Sequence, residues 1–417
     1  MNAKESSQVI VEGESQSWLI RLARKLVLGK MQVIERGHLL IEEGDSHYRF
    51  GQPIEQAKVR AHIRVRDPIA YVQVLLNGTI GSGEAYMEKV WDSPCLLDVI
   101  RLMVDNMSLI ESMDSRWSKL PRVLLRVLHR LNSNNRSGSR KNIAAHYDQG
   151  NDFFQLFLDK TMLYSSAIFP SEQTTLYQAS IHKMEHICQK LQLKPGDHLL
   201  EIGTGWGGMA IYAAKHYGCQ VTTATISEKQ YQYARQWVER EGLQDKVHVL
   251  LQDYRDLEGR FDKLVSIEMV EAVGHEYHYK FFSICGRLLK EDGLMLMQAI
   301  TISDQRYHQY RKDIDFIQHY IFPGGCLPSN QVIAQQIATA TDMQIVGLED
   351  ITADYARTLQ HWRKAFLNQL PQVRNLGFDD RFIRMWEFYL CYCEGGFMQR
   401  VISTAQFVFA KPRALIG

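Results

Sequence analysis

Residues 57–66, AKVRAHIRVR, put Ala57, Val59, Ala61, Ile63 and Val65 on one face and Lys58, Arg60, His62, Arg64 and Arg66 on the other. That period of two predicts a half-buried strand. Upstream, GHLLIEEGDSHYRFG predicts two short strands around a Gly44-Asp45 turn, and downstream Pro68–Leu76 and Pro94–Ile110 predict helices. Residues 1–115 therefore read as a small α+β domain. In PRVLLRVLHRLN, Val123, Leu124, Val127, Leu128 and Leu131 recur at helical spacing, with Arg122, Arg126 and Arg130 on another face. Residues 116–141 thus read as a basic helix running into a linker, SNNRSGSR. From 142 to 417 the pattern alternates between strands and helices. Seven strand candidates stand out: HLLEIG from 198, QVTTATI from 220, VHVLLQD from 247, FDKLVSIEM from 261, LMLMQAITI from 294, QIVGLED from 344 and AQFVFAK from 405. They predict an α/β domain with a mostly parallel sheet covered on both faces. The last two candidates flank a helical insertion, 352–402. Ten aromatics fall in residues 351–400, twice the 10% density of the chain, and they read either as core or as the wall of an apolar pocket.

Length and composition narrow the field. At 417 residues the chain predicts two or three domains, and 45% hydrophobic with 23% charged residues is a globular balance. The net charge of +1 argues against a nucleic-acid partner spread over the whole surface. Basic character is local: Ser115 to Tyr147 holds eight Lys/Arg and no acid. No run of 18 apolar residues occurs, and the start MNAKESSQVIVEGESQS lacks the layout of a signal peptide, which predicts a cytoplasmic protein. The seven cysteines are scattered without a CxxC pair, so reduced thiols are expected and no metal site.

The run from Leu199 to Gly208, LLEIGTGWGG, is an apolar strand entering a glycine-rich turn and then a helix. Gly203, Gly205 and Gly208 satisfy GxGxxG, which alone fits a dinucleotide site. A dinucleotide fold, however, wants an acid at the end of the next strand, where this chain has Thr223-Ala224-Thr225-Ile226. Its acids are Glu201, just before the first glycine, and Asp253, after the third strand. Acid-x-G-x-G after a first strand resembles the S-adenosylmethionine (SAM) loop of class I methyltransferases, and the resemblance extends to the seven strands.

More of the chain can be matched. HYDQGNDFF (146–154), MLYSSAIF (162–169), EIGTGWGG (201–208), ATISEKQ (224–230), LLQDYRDL (250–257), EMVEAVG (268–274), YIFPGGCLPS (320–329) and ADY (353–355) are similar, in order, to segments of the cyclopropane-fatty-acyl-phospholipid synthase family. GSGEAYM (81–87) extends the likeness into the N-terminal domain of bacterial members. The resemblance implies transfer of a methyl from SAM to the cis double bond of an acyl chain in a membrane phospholipid. It also implies a Rossmann-like fold with helical lipid-pocket insertions, a homodimer, and peripheral contact with the inner face of the membrane through 116–141. By position it assigns Tyr164 and Ser165 to the amino-acid part of SAM, Glu201, Gly203 and Gly205 to the loop, Thr225 and Gln230 to the ribose, and Asp253 to the adenine.

Family members hold a bicarbonate ion beside the alkene with a Cys, a Glu, a His and a Tyr. Glu271 and Tyr355 match, while Ser166 in YSSA stands for the Cys and Gln298 in MQAI for the His. Ser, Gln and Tyr all keep donors for an anion. The expected base is a bicarbonate steered by Glu271, Tyr355, Gln298 and Ser166, with Glu271 or Tyr355 acting directly as the alternative. Cys393, in YCEGGF, matches a family Cys and reads as a site residue or a packed thiol. Loss of a proton from the new methyl closes a cyclopropane, whereas loss from a neighbouring carbon leaves a methyl-branched or methylene chain. Two other readings stay open: an N- or O-methyltransferase acting on a small acceptor, and a catalytically silent lipid-binding protein.

Overall fold

A computed structural model describes residues 18–107 and 150–415. They divide into two compact units, one drawn from Met1–Val127 with Gly377–Gln399 and the other from Leu128–Leu376 with Arg400–Gly417. The expected basic helix and linker at 116–141 lie outside the described residues. Among the described residues no helix is long and apolar enough to cross a membrane.

In the first unit, strands β1 (His38–Glu43), β2 (Ser46–Gly51), β3 (Arg60–Val65) and β4 (Trp91–Asp92) form a sheet in the order β2-β1-β3-β4. The β1–β2 hairpin turns at Gly44-Asp45 as the pattern predicts, with Glu43 opposite Ser46. On β3 the alternation also holds: Ala61 and Val65 are buried, while Arg60 and Arg64 are exposed. The basic face is partly neutralised by the unit's own acid, since Glu42 pairs with His62 at 2.7 Å and Arg64 at 3.4 Å. Helices Ile69–Met87 and Leu96–Asp105 pack with this sheet.

The insertion at 352–402 does not stay together. Its helices Thr352–Asn368 and Leu370–Asn375 belong to the second unit, whereas Asp380–Met398 belongs to the first. There Arg384 lies 3.7 Å over the Tyr86 ring, and Tyr86 donates to Glu387 at 2.9 Å. Trp386, Phe388, Tyr389 and Phe397 are buried on this helix. Half of the aromatic-rich segment is therefore ordinary core of the N-terminal unit, which differs from the single catalytic domain expected over 142–417. Apolar periodicity marks a buried face without saying which unit buries it.

The second unit contains all seven expected strands: β5 (His198–Ile202), β6 (Gln220–Thr225), β7 (Val247–Leu251), β8 (Phe261–Ile267), β9 (Leu289–Ile302), β10 (Gln344–Asp350) and β11 (Ile402–Ala410). Their order is β10-β11-β9-β8-β5-β6-β7, parallel from β7 to β9, with β11 antiparallel to both neighbours. Central strands bury both faces, which is why Leu199, Leu200, Val265, Leu296 and Met297 are fully enclosed. The chain leaves β5 towards β6 and returns on the other side at β8, so the carboxyl ends of β5 and β8 bound a switch-point crevice, the usual ligand position in such sheets.

Gly395 lies on the 380–398 helix, and a Cβ built there falls 2.7 Å from Ile100 Cγ2. Overpacking of this kind costs about 1–3 kcal/mol. Gly395→Val is expected to lower the urea midpoint of the protein without changing the slope of the transition.

Candidate active site

Two loops meet at the switch point, 203–208 after β5 and 268–274 after β8. They touch, since a Cβ on Gly203 would fall 3.3 Å from Met269 Cγ. Gly205 adopts φ +52°, and a Cβ there would meet nothing within 4 Å, so the backbone is open to an approaching ligand. Gly208 serves packing instead: its Cβ would lie 2.5 Å from the Thr161 carbonyl oxygen. Only glycine lets the 161–169 segment settle on the loop. Two further bonds pin that segment to the Thr352–Asn368 helix, Ala167 N–H to Thr358 Oγ1 at 3.1 Å and Phe169 N–H to Asp354 Oδ1 at 2.9 Å.

The expected cofactor residues gather around these strand ends. Glu201 is buried and accepts a 2.6 Å bond from the Thr223 hydroxyl. Burial pushes its carboxyl up to about 8 against the pull of that bond. Thr225 donates to Gln230 Oε1 at 2.9 Å, which joins the two residues assigned to the ribose. Asp253 is buried and held by Arg255 through Nε at 2.8 Å and Nη2 at 2.5 Å. Tyr164 stands in an aromatic cluster, 5.3 Å from Phe154 and 5.2 Å from Trp362 between ring centroids. Ser165 accepts a 2.6 Å bond from Lys183, a fully buried lysine.

The expected anion-holding residues converge differently. Tyr355 donates to Oε2 of Glu268 at 2.7 Å, while Gln298 Nε2 and the Ser166 backbone N–H donate to its Oε1 at 2.8 and 2.9 Å. Ser166 therefore enters through its main chain, and its hydroxyl donates to the Ala167 carbonyl at 2.9 Å. Glu271 is outside this set: its Oε1 accepts from Ile300 N–H, and its Oε2 is buried without a hydrogen-bond partner. Burial, then the neighbouring charge of Glu268, pushes Glu271 up to about 8. Cys393 lies on the 380–398 helix, in the first unit.

The sequence reading missed Glu268 and Lys183. Glu268 follows β8 directly at φ +48°, a conformation that costs a non-glycine residue roughly 1–2 kcal/mol and that concentrates at functional sites. Its N–H bonds the Gln298 carbonyl at 2.8 Å, so the β8–β9 register sets the two side by side. Burial raises the Glu268 carboxyl, opposed by the Lys183 charge and by its three donors. Lys183 is itself lowered to about 8 by burial, against the pull of Glu268 and Asp159. The available signal was the spacing of two acids in EMVEAVG, which puts both at the end of one strand.

A seven-stranded sheet of this order, with an open glycine turn beside a buried acid at its switch point, defines a class I SAM-dependent methyltransferase. The family model for mycolic acid cyclopropane synthetase matches residues 134–407, and the chain belongs to that family. It is 36% identical over 342 residues to a tuberculostearic acid methyltransferase of Mycobacterium tuberculosis, covering 80% of this chain and 79% of that protein. It is 38% identical over 360 residues to the cyclopropane-fatty-acyl-phospholipid synthase of Escherichia coli, covering 84% and 88%. Among solved structures, the mycolic acid cyclopropane synthase CmaA1 complexed with SAH and CTAB aligns at TM-score 0.62 and 32% identity, over 65% of this chain and 98% of that one.

Glu201 yields a pH prediction. Its folded pKa of about 8 lies above the ordinary 4.5, so the folded state holds the proton more tightly than the unfolded chain. Its contribution to stability is complete below pH 4.5 and is lost as pH rises towards 8. Glu201→Gln removes that loss, at most about 1.4 kcal/mol per pH unit. Urea midpoints measured from pH 5 to 8 should therefore fall less steeply in the variant than in the native protein.

Proposed function

We propose that the protein methylates the cis double bond of an unsaturated acyl chain in a phospholipid, giving a cyclopropane fatty acid or, if the proton leaves a neighbouring carbon, a methyl-branched or methylene chain. The observation that carries this reading is the aromatic wall beside the glycine turn. Trp362 and Phe366 on one helix pack against Phe153, Phe157 and Tyr164 from the segment before the sheet, and Tyr355 packs on Trp362 along the same helix. A small polar acceptor calls for polar residues on that helix face, whereas a hydrocarbon calls for rings. Names of relatives support the same substrate class, since one is a cyclopropane-fatty-acyl-phospholipid synthase and another a tuberculostearic acid methyltransferase.

SAM, bound by the glycine turn with Glu201, Tyr164, Ser165, Thr225, Gln230 and Asp253, supplies an electrophilic methyl. An alkene is a weak nucleophile, so the protein's share is alignment, which contributes up to roughly 7–11 kcal/mol. Positive charge then develops on a substrate carbon. Ring faces such as those of Tyr164 and Trp362 favour it by about 0.5–2 kcal/mol each, and the same apolar wall keeps out water, which would trap the cation as an alcohol.

The reading includes docking on the inner face of the membrane, with the basic stretch 116–141 and the exposed Arg60 and Arg64 against anionic headgroups, and a homodimer. Each Lys or Arg near such a surface adds about 1 kcal/mol.

Incubation with SAM and vesicles of an unsaturated phospholipid, followed by mass spectrometry of the released fatty acids, is expected to show a gain of one CH2 unit. Fragmentation then separates ring from branch, and unchanged lipid refutes the reading. Arg122→Glu, Arg126→Glu and Arg130→Glu together are expected to weaken vesicle sedimentation and turnover on vesicles while SAM affinity holds. Undiminished sedimentation removes the segment from the docking surface.

A further inference from the structure

The resemblance to the family calls for a free bicarbonate ion between Ser166, Glu271, Gln298 and Tyr355, of which Glu271 is held apart on the Ile300 N–H. A planar anion there needs donors that are not spent elsewhere. In this chain they are spent: both oxygens of Glu268 take the Tyr355 hydroxyl, a Gln298 amide hydrogen and the Ser166 N–H. The second Gln298 hydrogen goes to the Ser166 carbonyl at 3.2 Å, and the Ser166 hydroxyl goes to Ala167. A bicarbonate in this position would have to displace a carboxylate of the same charge and nearly the same shape. The residues present do not fit the ion.

We propose that Glu268 is the base of this site, its tethered carboxylate standing in the place of the bicarbonate, and that the protein works without that ion. Resting on the methylation reading, the step balances within the substrate and one side chain. After the alkene pair has taken up the methyl, Glu268 removes one proton from carbon and becomes the neutral acid. The C–H pair left behind closes the cyclopropane or forms a double bond, and the substrate's positive charge is extinguished.

Three features of the fold adapt Glu268 to this work. The charge of Lys183, a buried lysine that donates to Ser165, pulls the Glu268 carboxyl down against the effect of burial. Its orientation is held by a ladder of amides across β9 and β11: Lys190 donates to Gln406 at 2.7 Å, Gln406 to Gln298 at 3.0 Å, and Gln298 to Glu268. Glu271, three residues on, is held apart on the Ile300 N–H, so the Tyr355, Gln298 and Ser166 donors converge on Glu268 alone. Replacement of a family His by Gln298 acquires a reason here, because a carboxylate already in place needs a donor that is not itself a base.

The test uses the full-length protein and two readouts. In buffer freed of carbon dioxide, the native rate on unsaturated phospholipid is expected to stay within twofold. Glu268→Gln is expected to lower kcat by about 100- to 10,000-fold, with SAM affinity and urea midpoint retained. Glu268→Ala opens the position and is expected to regain activity with millimolar bicarbonate or formate. Independently of turnover, carbon-13 NMR of labelled bicarbonate is expected to show no saturable binding to the native protein and saturable binding to Glu268→Ala. Loss of native rate on removing carbon dioxide, saturable bicarbonate binding by the native protein, or a Glu268→Gln rate within threefold of native would each overturn the proposal. A native protein that leaves the lipid unmodified refutes the methylation reading alone, and the NMR arm still decides what occupies the position.

Discussion

A negative charge enclosed away from water must be matched by donors and a counter-charge, and the centre of this molecule is arranged around that need. Glu268 sits at the end of β8 in a left-handed backbone conformation, with Tyr355, Gln298 and the Ser166 N–H donating to it and the charge of Lys183 acting on it. These partners come from a helix before the sheet, a helix after β10, the central strand β9 and the 161–169 segment. Removing any one leaves a buried polar group short of a partner, at a cost of about 1–3 kcal/mol for a neutral group and more for a charge. These interactions therefore tie together four separate parts of the second unit.

Backbone approach makes this convergence possible. Gly208 lets the Thr161 carbonyl lie on the glycine turn, and Asp354 and Thr358 hold the other end of the same segment. Tyr164, Ser165 and Ser166 are thereby suspended between the cofactor turn and the Glu268 cluster. The aromatic rings behind them supply the remaining requirement, a dry face for a hydrocarbon. Cofactor turn and Glu268 cluster thus meet at the strand ends where the order reverses between β5 and β8.

Much of this was legible in the residues alone. Period-two alternation located β3, the Gly44-Asp45 turn located the first hairpin, and all seven strands of the large sheet lie where apolar runs bounded by turns put them. EIGTGWGG marked the cofactor turn because tight turning and close approach demand glycine at particular steps. Such features are local, governed by dihedral limits and by which face of an element is apolar, and a linear pattern records them directly.

Long-range partnership is another matter. Helix 380–398 is richer in aromatics than 352–368, yet it belongs to the N-terminal unit, because periodicity encodes burial and not the identity of the burying surface. Glu271 matches a family acid by position, whereas the carboxylate that gathers Tyr355, Gln298 and the Ser166 N–H is Glu268, three residues earlier. Spacing shows that both acids leave the same strand end. Which of them meets Tyr355 and Gln298 depends on the β8–β9 register and on a backbone twist at φ +48°. The chain's own residues thus determined the elements, the cofactor turn and the class of chemistry. Only the folded arrangement decided which carboxylate gathers the donors, since a buried site is settled by the summed field and hydrogen bonds of groups far apart in sequence.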